Sequence, residues 1–130
     1  MSQSTGISSY RDLQVWQKGM DLVVESYRLT ERLPKAELYG LVSQIRRAAV
    51  SIPANIAEGH GRYHTREFLR HLSFAKGSLM ELETELLAAG RLGYIPEPEV
   101  RSALGATAEL GRMLAGLTRS LRARTLTPDP

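Results

Sequence analysis

Four stretches of this chain repeat apolar residues every three or four positions, and no run alternates every second position; that pattern decides the fold class. The stripes run Leu13, Trp16, Met20, Val23, Tyr27; then Leu38, Leu41, Ile45, Ala48, Ile52; then Phe68, Leu72, Ala75, Leu79, Leu82, Leu86; then Val100, Ala103, Thr107, Leu110, Leu114, Leu117, Leu121. An α-helix turns about 100° per residue, so this spacing gathers each set on one face. The separators "LPKA", "GHGRYH" and "GYIPEP" are short and carry Gly or Pro. The first helix, from about Tyr10 to Arg32, has to end before Pro34, because the residue ahead of a proline is pushed out of helical geometry. Pro98 suits the first turn of the fourth helix. Short loops between long helices make neighbours antiparallel. The expectation is an all-α, up-down-up-down, antiparallel four-helix bundle over residues 10–122, with flexible tails at 1–9 and 123–130.

The first helix carries a second stripe, Val15, Leu22 and Leu29, spaced by seven and lying more than about 120° from the Leu13 seam. Val42, Ala49, Val50 and Ile56 repeat the theme in the second helix. Two readings stand side by side. One is a wide core face with scattered exposed aliphatics; the other is burial between subunits, which makes Val15, Leu22 and Leu29 an oligomer interface.

A proline interrupts the second helix in "QIRRAAVSIPANIAEGHGR". Pro53 has no N–H and its ring crowds the carbonyl of Ala49, so the helix is expected to bend or restart there. Asn55 and Glu58 have capping-box spacing for a restart, and Gly59 and Gly61 then end the segment. Pro53, Asn55, Glu58 and Gly59 form a structural motif that shapes the corner to the third helix, or aims the arginines beside it at a partner.

Composition removes several functions. The chain has no cysteine, which excludes disulfides, thiolate zinc and a cysteine nucleophile, and fits a reducing compartment. The polar start "MSQSTGISSYRDL" is unlike a signal peptide and no run reaches membrane-span length, so a cytoplasmic protein without a membrane partner is expected. A di-iron bundle needs a Glu-x-x-His motif on two helices; here Glu58 precedes His60 by two and Glu67 precedes His71 by four. His60, His64, Glu67 and His71 could form a metal cluster only from one helix and its approach. No nucleophile elbow, dinucleotide fingerprint or phosphate loop is present. Neither an enzyme nor a cofactor is expected.

Charge is uneven. From Gln44 to Lys76 there are six basic residues against two acidic, a local net charge of +4, whereas Gly77 to Val100 holds five glutamates against Arg91. Arg46, Arg47, Arg62, Arg66 and Arg70 are candidate nucleic-acid contacts, brought near one end if the second and third helices are antiparallel, because guanidinium forks suit phosphates. The competing reading is a solvated face with ion pairs to Glu58 and Glu67. Few aromatics interleave, so contact with the backbone of RNA or DNA fits better than base stacking.

The segments "YRDLQVWQKGMDLV", "LPKAELYGLVSQIRRAAVSIPANIAEGHGR" and "EFLRHLSFAKGSLMELETELLAAGRLGYI" resemble the bacterial four-helix-bundle proteins encoded in intervening sequences of large-subunit (23S) ribosomal RNA genes. The resemblance covers Tyr10 to Ile95, and its motif, carried over by position, adds Ser51 to Pro53, Asn55, Glu58 and Gly59 as structural residues. That family is similar in fold to the accessory variability determinant of diversity-generating retroelements, a basic homopentamer that binds a reverse transcriptase and nucleic acid. The resemblance therefore implies a homopentamer, a nucleic-acid-associated accessory role and a reverse transcriptase as partner; a protein-interaction scaffold without nucleic acid is the alternative.

Overall fold

The computed structural model describes residues 9–126, and every regular element among them is helical. The four long helices are α1 (Gln14–Thr30), α2 (Ser43–His60), α3 (Thr65–Arg91) and α4 (Glu97–Leu126). A 3₁₀ turn at Tyr10–Asp12 leads into α1, and a 3₁₀ turn at Lys35–Glu37 followed by a π-helical turn at Leu38–Val42 leads into α2. Helix α4 thus passes the expected end at residue 122 and continues to Leu126. At the other terminus the Ser9 hydroxyl caps the first turn, accepting from the Arg11 N–H at 3.1 Å. The rest of the two expected tails, residues 1–8 and 127–130, lies outside the described residues.

Each helix packs on two others: α2 on α1 and α3, and α4 on α3 and α1. The contacts run in opposite numerical directions along neighbours. Gly59 faces His71 while Ser51 faces Ser78; Gly90 meets Val100 while Gly111 meets Leu79. Ile45, Ile52, Ile56, Leu72, Leu79, Leu82, Leu86 and Leu110 fill the shared core. Between α3 and α4 the chain reverses through Gly93, whose φ of 81° is a left-handed conformation that costs glycine nothing. The Tyr94 N–H then reaches the Ala89 carbonyl and the Gly93 N–H reaches Gly90, the paired bonds of a Schellman stop.

Helix α1 is rotated relative to the expected seam. Met20 and Tyr27 are exposed, whereas Val15, Leu22 and Leu29 are buried within the single chain. The assignment of Val15, Leu22 and Leu29 to an oligomer interface is therefore corrected: they are core. The buried stripe is Val15, Gly19, Leu22, Ser26, Leu29, a four-three repeat hidden from hydropathy because two members are small or polar. Val42, Ala49 and Ile56 are core for the same reason, and only Val50 of that set is exposed.

Pro53 neither bends α2 to a stop nor restarts it; the helix is continuous from Ser43 to His60 with Pro53 buried inside. The ring lies on Gly19, where an added Cβ would sit 3.4 Å from the Pro53 Cβ, so α1 packs directly over it. One backbone hydrogen bond is lost, to the Ala49 carbonyl, and packing on both sides holds the helix through the gap. The discontinuity falls earlier, at Gly40 (φ −108°, ψ −108°), in the π-helical turn. Glu37 steadies that turn by accepting from the Leu41 N–H at 3.2 Å and from the Tyr94 hydroxyl at 3.0 Å.

Candidate nucleic-acid interface

The α2–α3 seam is set by the motif around Pro53. Ser51 and Ser78 share a hydrogen bond of 2.8 Å, and the Asn55 amide donates to the Ser51 carbonyl at 2.9 Å and to the Ser51 hydroxyl at 3.1 Å. The Asn55 side-chain oxygen lies 3.2 Å from His71 Nδ1. An amide oxygen only accepts, so His71 Nδ1 is the donor of this hydrogen bond. These groups form one polar ladder beside an apolar core, each satisfied by the next. At its end Gly59 is required by space: a Cβ there would stand 2.6 Å from the His71 Cβ and 3.0 Å from the Phe68 ring. Glu58 does not close a capping box with Asn55; α2 does not start there, and the carboxylate instead pairs with Arg62 at 3.0 Å.

This seam separates the five candidate arginines rather than collecting them. Arg46 and Arg47 stand in the first turn or so of α2, and roughly 20 Å of helix axis lies between them and the His60 end. Arg46 is half-buried, its Nε donating to the Thr30 hydroxyl at 2.9 Å and its guanidinium lying 4.4 Å from the centre of the Tyr27 ring. Arg47 is exposed and donates to the Ser43 hydroxyl at 3.2 Å. Arg62, Arg66 and Arg70 lie at the opposite end. There Arg62 is engaged by Glu58, and Arg70 rests 5.6 Å from the Phe74 ring. The single cluster expected near one end is corrected to two groups.

Other cations join the second group. The C-terminal half of α4 packs beside the N-terminal third of α3, and a groove of about 330 Å³ between them is lined by Leu69, Ser73, Lys76, Thr118, Arg119 and Arg122, among others. Arg66 and Arg70 flank Leu69 along α3. Among the described residues, no carboxylate lies within ion-pair distance of Arg66, Arg70, Lys76, Arg119 or Arg122. Sequence reading passed over Arg119 and Arg122, although the signal was present: from Gly111 to Leu126 the chain has Arg112, Arg119, Arg122 and Arg124 and no acidic residue. The surface so formed, exposed guanidinium groups over a narrow apolar floor with two hydroxyls, can hold phosphodiester oxygens by charge and hydrogen bond.

Among the described residues no three histidine or carboxylate side chains come together as a metal site, and no helix is long and apolar enough to cross a membrane. One carboxyl is unusual. Glu85 is buried on α3, its Oε1 has no hydrogen-bond partner, and its pKa is pushed up to about 7, first by burial and then by the neighbouring Glu81.

The sequence profile of the 23S rRNA-intervening sequence protein family matches residues 11–116. The chain belongs to this family. The match includes the whole "QIRRAAVSIPANIAEGHGR" segment and, in α4, continues past Ile95 to residue 116, stopping short of Arg119 and Arg122. Among solved structures, this family member is similar to a protein of unknown function from the S23 ribosomal protein family of Bacteroides thetaiotaomicron. The two are 25% identical, with a TM-score of 0.74, and the alignment covers 80% of this chain and 97% of the other. No curated protein matches the chain.

Proposed function

We propose that this member of the 23S rRNA-intervening sequence protein family is a non-enzymatic, self-associating antiparallel bundle that binds the phosphate backbone of RNA or DNA as an accessory factor. The observation that supports it is the meeting of Lys76 on α3 with Arg119 and Arg122 on α4 around one groove, with Arg66 and Arg70 exposed on the adjoining turns of α3 and no carboxylate to neutralise any of the five among the described residues. Contacts of this kind position a strand without reading its bases, so sequence preference is expected to be weak. Self-association multiplies the patch on one particle.

The experiment is the salt dependence of binding to a labelled 20-nucleotide single-stranded RNA and to a DNA duplex of equal length. Each phosphate neutralised releases counterions, giving a slope of log affinity against log salt of roughly 0.7 per contact for a single strand and 0.9 for a duplex. The double variants Arg66→Gln/Arg70→Gln and Arg119→Gln/Arg122→Gln should each reduce the slope by up to about two units per subunit engaged. Arg46→Gln/Arg47→Gln, at the other end, is the charge-matched control and should leave the slope near that of the parent. Equal losses from all three pairs, or no salt-dependent binding, would sink the proposal. Light scattering at micromolar concentration tests self-association, and a monomeric mass refutes that part.

A further inference from the structure

A second surface lies at the other end of α2 and is chemically distinct. The C-terminal turns of α1, the π-helical turn and the start of α2 enclose an open groove of about 690 Å³, walled by Tyr27, Leu38, Tyr39 and Val50 and edged by Arg46 and Arg47. Tyr39 is 93% exposed and Leu38 48%. Helix α1 extends the apolar surface outward: Met20, Val24 and Tyr27, at positions i, i+4 and i+7, are all exposed and form a helical ridge. None of the residues lining the groove is acidic. Glu37, just ahead of Leu38, is occupied by the Leu41 N–H and the Tyr94 hydroxyl.

We infer that this groove is a docking site for an acidic amphipathic helix of another protein. A ridge at i, i+4, i+7 beside an apolar trough is the shape a partner helix packs against, and two arginines in a groove whose own lining holds no carboxylate leave the acidic half of the pairing to the partner. Arg46 is held ready by Tyr27 and Thr30, which engage its ring-facing plane and Nε; its terminal nitrogens are the part of the fork left for a partner carboxylate. Arg47 also lines a small neighbouring cleft with Glu81, so a docking carboxylate competes with Glu81 for it. A nucleic-acid strand fits this place less well, because the walls are mainly aliphatic and aromatic and offer two cations rather than a row.

The test is selection from a displayed library of helical peptides in which apolar, acidic and basic positions are varied independently, with the intact protein as bait. Enrichment of peptides carrying apolar residues at i, i+4 and i+7 flanked by Asp or Glu is expected. Binding of the selected peptides should fall at least tenfold with Tyr39→Ala and with Val24→Lys, both at exposed positions, and at least tenfold with Arg46→Gln/Arg47→Gln. The Arg119→Gln/Arg122→Gln protein should bind them unchanged, which separates this site from the nucleic-acid surface. Enrichment of basic or uncharged peptides, no enrichment over a scrambled library, or competition by single-stranded RNA overturns the assignment. So does a drop in the mass of the protein alone with Val24→Lys, which makes the occupant a second copy of this chain.

Discussion

Two glycines on facing helices give opposite expectations for the same substitution. At Gly59 a Cβ would stand 2.6 Å from the His71 Cβ, so Gly59→Ala has to push α2 from α3 and should cost about 1–3 kcal/mol. At Gly77 nothing lies within 4 Å, and Gly77→Ala should gain about 0.4–1 kcal/mol from reduced freedom of the unfolded chain. Urea denaturation midpoints distinguish the two. Glu85 adds a pH dependence. Its folded pKa of about 7 lies above the ordinary 4.5, so the folded state binds the proton more tightly and stability falls as pH rises between those values. Replacing the carboxylate by an amide removes the penalty. Glu85→Gln should raise stability by about 1–3 kcal/mol above pH 7 and leave it nearly unchanged at pH 4; denaturation at both pH values checks the sign, and a gain of equal size at both contradicts it.

Helix α1 shows where periodicity was informative and where it misled. The existence of all four helices followed from the stripes, but their ends did not, since α1 starts at Gln14, α2 at Ser43 and α4 runs to Leu126; nor did the facing of α1, because Gly19 and Ser26 belong to the buried seam and register as neutral or polar. Close approach, at Gly19 over Pro53, is a steric demand that no hydropathy count reports. The same contact gives Pro53 a place inside a continuous α2, where the expected restart does not occur: its ring is packing material for α1. Leu22 is 3% exposed, so Leu22→Glu should unfold the chain, costing several kcal/mol, and not simply dissociate subunits; loss of the helical circular dichroism at ordinary temperature is the expected result. Pro53→Ala should leave both ends of α2 where they are and change stability by about 1 kcal/mol or less, since a regained hydrogen bond offsets lost contact. Altered helix ends in a crystal structure of that variant would contradict the packing role.

At the scale of the molecule, charge is sorted by the fold in a way the linear pattern only half displayed. Arg46 and Arg47 are near Arg62 in sequence yet lie at the far end of α2, whereas Arg119 and Arg122, distant in sequence, share a groove with Lys76. The basic window was legible as composition; its division required knowing which helix ends meet. At the same end as that groove, α1 begins with an aromatic pair: Trp16, the single tryptophan of the chain, meets the edge of Tyr10 at 5.3 Å, and Lys18 ties α1 to Glu109 of α4 at 3.4 Å. The indole therefore works as an optical gauge of whether the leading 3₁₀ turn is seated. Tyr10→Ala should shift its emission to the red while far-ultraviolet dichroism stays unchanged, and the same fluorescence then follows, without any dye, how events at the arginine-rich end are felt where the helices begin.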